Sequence, residues 1–384
     1  IKVNSIKGVG ASTAAITVNN SDGTCTANIT NNLSNRNLII NGAMNIAQRG
    51  TSSTSNGYTT VDRISCSHYG TNESPTRSQS DVASGTTPYN LGFRKAFKLT
   101  NGNQTATDAG DHIQIDYFIE SQDLSKSGWN YTSSSSYVTL SFWIKSSIGI
   151  AYPFTWRAPN GSAQVYNMST GTLSANTWTK VTKTIPGNSN ITINNDGNSG
   201  ARLMFFPYVG TTYTTNGLAL DTWSAWANAK HGFEMATTWW TTDDATFEIT
   251  GLQLEVGSVA TDFEHRSFAQ ELTLCQRYYQ QYVNPCCTGV IPDNSSKAYS
   301  IGLQFQTRMR AEPTFTITNA GDGQNVHDGD SGADIASLNA ADLNVNGASI
   351  YLNLDSDLGN FRPATLGRND QTTNTTTYKF TAEL

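Results

Sequence analysis

Alternation of apolar and polar residues, repeated in segment after segment, constrains this chain more than any other feature. In HIQIDYFIE it places Ile113, Ile115, Tyr117 and Ile119 on one face. In YVTLSFWIKSS it aligns Val138, Leu140, Phe142 and Ile144, while Trp143 points the other way. ARLMFFPYVG, ATFEITGLQLEVG, SIGLQFQTRMR, ASIYLNLDSD and TTYKFTAEL repeat the theme. A two-residue period rich in β-branched and aromatic side chains is what a strand with one buried face requires. Turn clusters such as NGNQ, APNGS, NNDGNSG and NAGDGQ separate the runs. Many short strands between such turns favour a sandwich or jelly roll over βαβ units. The expected fold is all-β: a jelly-roll β-sandwich, a short connecting helix and a smaller C-terminal β domain.

One segment breaks the alternation. SFAQELTLCQRYYQQYV opens with Ser267 and Gln270, the spacing of a capping box that satisfies the first orphan amides of a helix. Phe268, Leu272, Cys275, Tyr279 and Tyr282 then follow in steps of 4, 3, 4 and 3, two heptads of a coiled-coil-like seam. Two readings stand side by side: a strut docked on its own β domain, or an oligomer seam between chains. The helix sets the domain layout. Residues 1–36, low in aromatics and rich in Asn and Thr, read as an extended N-terminal anchoring arm. Residues 37–262 read as the jelly-roll domain and 263–283 as the connecting helix. NPCCTGVIPDNSS reads as a linker opening a C-terminal β domain over 284–384.

The 384 residues suffice for two or three domains with cores of their own. Charged residues are 14% of the chain and the net charge is −6, against about 25% charged in an average soluble protein. No Arg/Lys run appears that could track a phosphate backbone, so nucleic acid is not an expected partner. No stretch reaches the roughly 18 apolar residues of a membrane span, so membrane insertion is not expected either. IKVNSIKGVG lacks the apolar run of a signal peptide. The five cysteines are odd in number and scattered, and read as reduced thiols of a protein made in a cytoplasm.

The search for catalytic chemistry finds little. Histidines 68, 112, 231, 265 and 327 form no pair at helical spacing. Asp262, Glu264 and His265 cluster in DFEHR, where acidic residues at the mouth of a helix complement its dipole. GxSxG, HExxH and phosphate-loop patterns are all missing. No catalytic residue, metal ligand or cofactor is assigned. DTWSAWANAKHGFEMATTWWTT, in contrast, carries Trp223, Trp226, Phe233, Trp239 and Trp240. Exposed indoles stack on the C–H faces of sugars, and Asp221, Asn228, His231 and Glu234 stand near to bond hydroxyls. Trp223, Trp226, Trp239 and Trp240 are therefore candidate glycan-binding residues, with core or subunit packing as the alternative. Were Trp239 and Trp240 on a strand, at most one could face the core.

Three blocks carry a resemblance. NRNLIINGAMNIAQRGTS (35–52), followed by TTVDRIS, is the first. FEITGLQLEVGSVATDFEHRSFAQELTLCQRYYQQY (247–282) is the second and most specific, and QTRMRAEPTFTITN (306–319) with the final YKFTAEL is the third. With these, and with the opening IKVNSIKG, the chain resembles structural proteins of tailed bacteriophages, especially tail-fibre and adhesin-like virion proteins. Residues 70–240 match only in general texture. The resemblance implies a jelly roll of the carbohydrate-binding-module kind, a homotrimeric appendage joined to other virion proteins through the arm, and no enzyme activity. In modules of that kind a carboxylate before the last strand often holds calcium; Asp243 and Asp244 stand there, with a polar capped turn as the alternative. The function expected is a non-enzymatic virion structural protein, a tail fibre or receptor-binding protein contacting host surface polysaccharide. A capsid-attached spike or decoration protein is the first alternative, and a glycan depolymerase, which needs facing carboxylates, the second.

Overall fold

A computed structural model describes residues 5–7, 16–18, 21, 25–27, 35–291, 296–300, 302–318, 324–327, 332–357, 363–368 and 375–384. The alternating segments form two six-stranded antiparallel sheets. The front sheet runs, edge to edge, Trp223–Ala225, Gln164–Thr172, Ala151–Ala158, Ser199–Val209, His112–Glu120 and Ser65–Tyr69. The back sheet runs Thr179–Pro186, Tyr137–Ser146, Thr246–Val256, Lys95–Thr100, Thr76–Asp81 and Ser52–Ser53. Apart from the consecutive pairs Ala151–Ala158 with Gln164–Thr172 and Thr76–Asp81 with Lys95–Thr100, neighbours in these lists are distant in sequence, as the long crossings of a jelly roll demand.

The inward residues of both sheets make one core. Phe142 of the back sheet meets Phe154 and Phe205 of the front sheet edge-on, with ring centroids 5.2 Å apart in both pairs. Ile113, Ile115, Tyr117 and Ile119, aligned by their spacing, are all buried, as are Val138, Leu140 and Ile144. At about 25 cal/mol per Å2 of apolar surface removed from water, such interdigitation is the main stabilising term.

A smaller β domain follows. Cys287–Val290, Lys297–Ser300, Leu303–Gln304, Gln324–His327, Gly332–Asn344, Gly347–Leu354 and Pro363–Arg368 make one sheet, and pairing of Lys297–Ser300 with Gly347–Leu354 closes it on itself. Closure leaves fewer unpaired strand edges. Part of the expected linker is thus the strand Cys287–Val290, whose alternate residues Cys287 and Gly289 are buried. In the anchoring arm, Ser5–Ile6, Ile16–Val18 and Cys25–Ala27 pair as a small antiparallel sheet; most of the arm lies outside the described residues.

The connecting helix is shorter than its heptads suggest. It spans Phe268–Gln276, and Ser267 caps it by accepting the Gln270 amide at 3.3 Å. Tyr279–Val283 is instead a strand, paired with Thr377–Thr381 in a three-stranded sheet with Thr314–Thr318. The chain therefore enters the C-terminal domain at Tyr279, not at residue 284. Aromatic residues favour strands, and here a ready-made partner a hundred residues on overrides the heptad spacing. The two domains also interlock. Arg277 and Tyr278 donate to Glu120 of the front sheet, Arg310 to the Gly197 carbonyl, and Arg49 and Arg63 to Glu383. No helix among the described residues is long and apolar enough to cross a membrane.

Candidate functional site

The outer face of the back sheet carries an aromatic cleft. Lys180, Trp143 and Thr250 stand opposite one another on three adjacent strands, and Thr182, Ser141 and Gln253 form the next row. Trp143 alternates with the core residues Phe142 and Ile144, so its indole must point away from the core. The strand Thr246–Val256 shifts register between Thr250 and Gln253, and Gly251 sits in that irregularity with φ +63°. A Cβ on Gly251 would lie 2.7 Å from Phe93 and 3.2 Å from Trp143. Only glycine allows both rings to close on the backbone there.

The loop after the strand supplies the opposite wall. Phe263 packs edge-on against Phe93 with centroids 4.9 Å apart, and His265 lies 4.9 Å from Phe263 and 5.2 Å from Phe93. The His265 Nε2 is 2.9 Å from the Leu91 carbonyl, which fixes the ring. The result is a cavity of about 230 Å3 lined by Phe93, Trp143, Phe263 and His265 together with Ser141, Lys180, Thr261 and Asp262. No hydrogen bond within the described residues engages the Trp143 indole N–H or the Lys180 ammonium. Beside the cleft, Lys145 pairs with Glu248 at 3.0 Å and lies 5.1 Å from the Trp178 ring centroid. A half-buried indole, flanked by ring edges and by unengaged donors and acceptors, suits a ligand with an apolar face and a polar rim. The volume, below the roughly 300–1,000 Å3 of a drug-sized pocket, suits about one ring.

The four tryptophans singled out by sequence divide. Trp239 and Trp240 are fully buried on the short helix Thr238–Thr241. One helical turn lets both enter the core, which a strand could not. Their indole nitrogens donate to the Thr246 carbonyl at 3.1 Å and the Ala106 carbonyl at 2.7 Å. They are core residues and cannot form a glycan platform. Trp223, on the edge strand of the front sheet, packs on Tyr166 and donates to the Pro186 carbonyl at 2.7 Å. Trp226 is half-buried on the outer front face, with the Arg157 guanidinium 4.1 Å from its centroid and His231 edge-on at 4.7 Å. Burial, and secondarily Arg202, pull the pKa of Arg157 down; burial likewise lowers that of His231. Asp243 and Asp244 are exposed in a turn closed by the Ala245 amide on the Thr242 carbonyl. Among the described residues no three His, Cys, Asp or Glu side chains gather as metal ligands.

The five residues of the expected seam do not share one helix face. Phe268 is 63% exposed and Leu272 half-buried, whereas Cys275 is sealed inside its own chain. Tyr279 and Tyr282 lie on the strand that follows, where Tyr279 stacks under Arg49 at 3.7 Å and Tyr282 donates to Gln280. Sequence reasoning missed Phe93 and Phe263 altogether and placed His265 only in the DFEHR cluster at the mouth of the helix. Its one usable signal for the cleft was Trp143, an aromatic on the solvent side of an alternating strand.

No protein-family model matches the chain, and no curated protein matches its sequence. Solved structures similar to it include the enzymatically active domain of bacteriophage CBA120 tailspike protein 4. That match has 11% identity and a TM-score of 0.31, and covers 58% of this chain and 22% of that one. The N-terminal cellulose-binding domain of Cellulomonas fimi β-1,4-glucanase C is similar over 56% of this chain and 99% of its own, at 9% identity and a TM-score of 0.28. The module TmCBM61, solved with β-1,4-galactotriose, is similar over 58% and 99% of the two chains, at 9% identity and a TM-score of 0.26.

Proposed function

We propose that this chain is a non-enzymatic subunit of a bacteriophage virion appendage that contacts host surface glycan through the Trp143 cleft. The observation that carries glycan binding is the cleft itself: an outward indole held beside Gly251, Phe93 and Phe263, with Lys180, Ser141, Thr261 and Asp262 at its rim. Sugars present that combination of flat C–H face and hydroxyl edge. Binding is favoured over cleavage because glycoside hydrolysis uses two facing carboxylates, and among the described residues Asp262 alone lines this cavity with one. The virion setting is supported by the resemblance of the blocks at 35–52, 247–282 and 306–319. A tail-fibre or receptor-binding subunit, assembled as a homotrimer and anchored through residues 1–36, is the form of appendage that this reading entails.

The test is calorimetric titration of the full chain with surface polysaccharides purified from a panel of bacteria, followed by sizing of the recovered polysaccharide. Saturable binding with unchanged polymer length is expected. Shortened chains would contradict the non-enzymatic part, and an absence of binding across the panel would contradict the glycan part.

A further inference from the structure

Arg157 and Arg202 stand directly opposite each other on adjacent strands of the front sheet. Both alternate with core residues, so both side chains lie on the outer face. Like charges in that relation repel. Arg202 is neutralised: its Nε donates to Asp116 Oδ1 at 2.8 Å and its Nη2 to Oδ2 at 2.9 Å. Arg157 has no carboxylate partner among the described residues, and its Nε is buried without an acceptor. Asn167, 1% exposed, sits opposite Thr155 and hence diagonal to Arg157 on the same face. Its Oδ1 accepts from Thr155 Oγ1 at 3.0 Å, but its Nδ2 is a second buried donor without a partner.

Two neighbouring orphan donors and one unneutralised guanidinium make a patch short of an anionic acceptor. We propose that this patch binds the carboxylate of an acidic sugar. A planar two-oxygen anion matches the guanidinium fork, would also accept from Asn167 Nδ2, and would relieve the repulsion between Arg157 and Arg202. An ordered water could satisfy the donors but would leave the charge unbalanced. The rings of Trp226, 4.1 Å from Arg157, and of the half-buried Phe118, 5.0 Å from Arg202, flank the two cations and offer apolar surface to the ring that bears the carboxylate. The patch lies on the opposite sheet from the Trp143 cleft and is independent of it.

The experiment is calorimetric titration of the full chain, at low salt, with glucuronate, glucose and inorganic phosphate in separate runs. Glucuronate should bind saturably and at least about tenfold more tightly than glucose, which has no carboxylate. Arg157→Ala and Asn167→Ala should each weaken glucuronate by about tenfold or more, from the usual 1.5–3 kcal/mol of a hydrogen bond to a charged group. Arg157→Met, which keeps packing against Trp226, serves if the alanine variant unfolds. Arg157 and Asn167 lie on the sheet opposite the Trp143 cleft, so a loss confined to their variants reports this patch alone, and failure here and failure of the glycan cleft are separable. Four results would overturn the proposal: no glucuronate binding by the folded wild type, equal binding of glucose, binding of phosphate without glucuronate, or wild-type affinity in Arg157→Met.

Discussion

Arg63, buried in the sandwich, is neutralised by Glu383, 320 positions further along the chain. Its guanidinium also lies 3.4 Å from the Tyr278 ring centroid and donates to the Phe118 carbonyl at 2.8 Å. The side chains of Arg63 and Glu383 are 1% and 5% exposed. Removing one partner of such a pair leaves a buried charge uncompensated. We predict that Glu383→Gln destabilises the protein by about 3–5 kcal/mol. In contrast, Lys183→Ala, which breaks a pair whose Asp221 is 50% exposed, should cost less than about 1 kcal/mol. Denaturant unfolding of both variants checks the ranking, and equal effects would contradict it.

His68 sets an acid dependence. Burial foremost, then the charges of Arg77 and His112, push its pKa down to about 4. The ring accepts from Arg77 Nη2 through Nδ1 at 2.7 Å, which needs that nitrogen unprotonated. The unfolded chain takes up a proton near the ordinary value of about 6.5 that the folded chain refuses. Stability from this group is thus complete above pH 6.5 and is lost as pH falls from there towards about 4. His68→Gln should flatten that part of the pH–stability curve. A carbon-13 titration of the ring checks the premise, and a midpoint near 6.5 in the folded protein would contradict it.

The helix Phe268–Gln276 docks on its own chain. Its Glu271 accepts the Asn41 amide at 2.6 Å and its Cys275 is sealed in the fold. Leu272→Glu should therefore lower the melting temperature by the same amount across a wide dilution series. A loss that grows on dilution would restore the inter-chain seam.

The sandwich was legible in the sequence because a two-residue period has one physical meaning on a half-buried strand, as Val138, Leu140, Phe142 and Ile144 show. The Ser267 cap was legible because its geometry is local. Tyr279 and Tyr282 were not, since their spacing fits a helix while their partner strand Thr377–Thr381 lies far away in sequence. Trp239 and Trp240 misled for a related reason: a single helical turn, too short to show a period, points both indoles inward. The cleft was mostly hidden, because Phe93, Trp143 and Phe263 come from three distant segments that only the register of the back sheet brings together.

Gly251 tests how the cleft is built. Alanine there meets both a left-handed backbone, φ +63°, and the Phe93 ring 2.7 Å from its Cβ. Gly251→Ala should cost more than about 1 kcal/mol of stability and weaken polysaccharide binding by displacing Phe93 or Trp143. Unchanged binding with unchanged stability would show that the cleft does not depend on that close approach.

On the proposed function, Trp143 serves a ligand, whereas the buried Trp239 and Trp240 serve the core. The decisive measurement is polysaccharide affinity and melting temperature on the same samples of wild type, Trp143→Ala and Trp240→Ala. Truncating a binding hot spot costs about 2 kcal/mol or more, near thirtyfold in affinity, and truncating a buried indole costs about 3–5 kcal/mol of stability. Trp143→Ala should therefore lose affinity by about thirtyfold while melting close to wild type, and Trp240→Ala should melt far lower. A Trp143→Ala protein that binds polysaccharide as tightly as wild type would contradict the account.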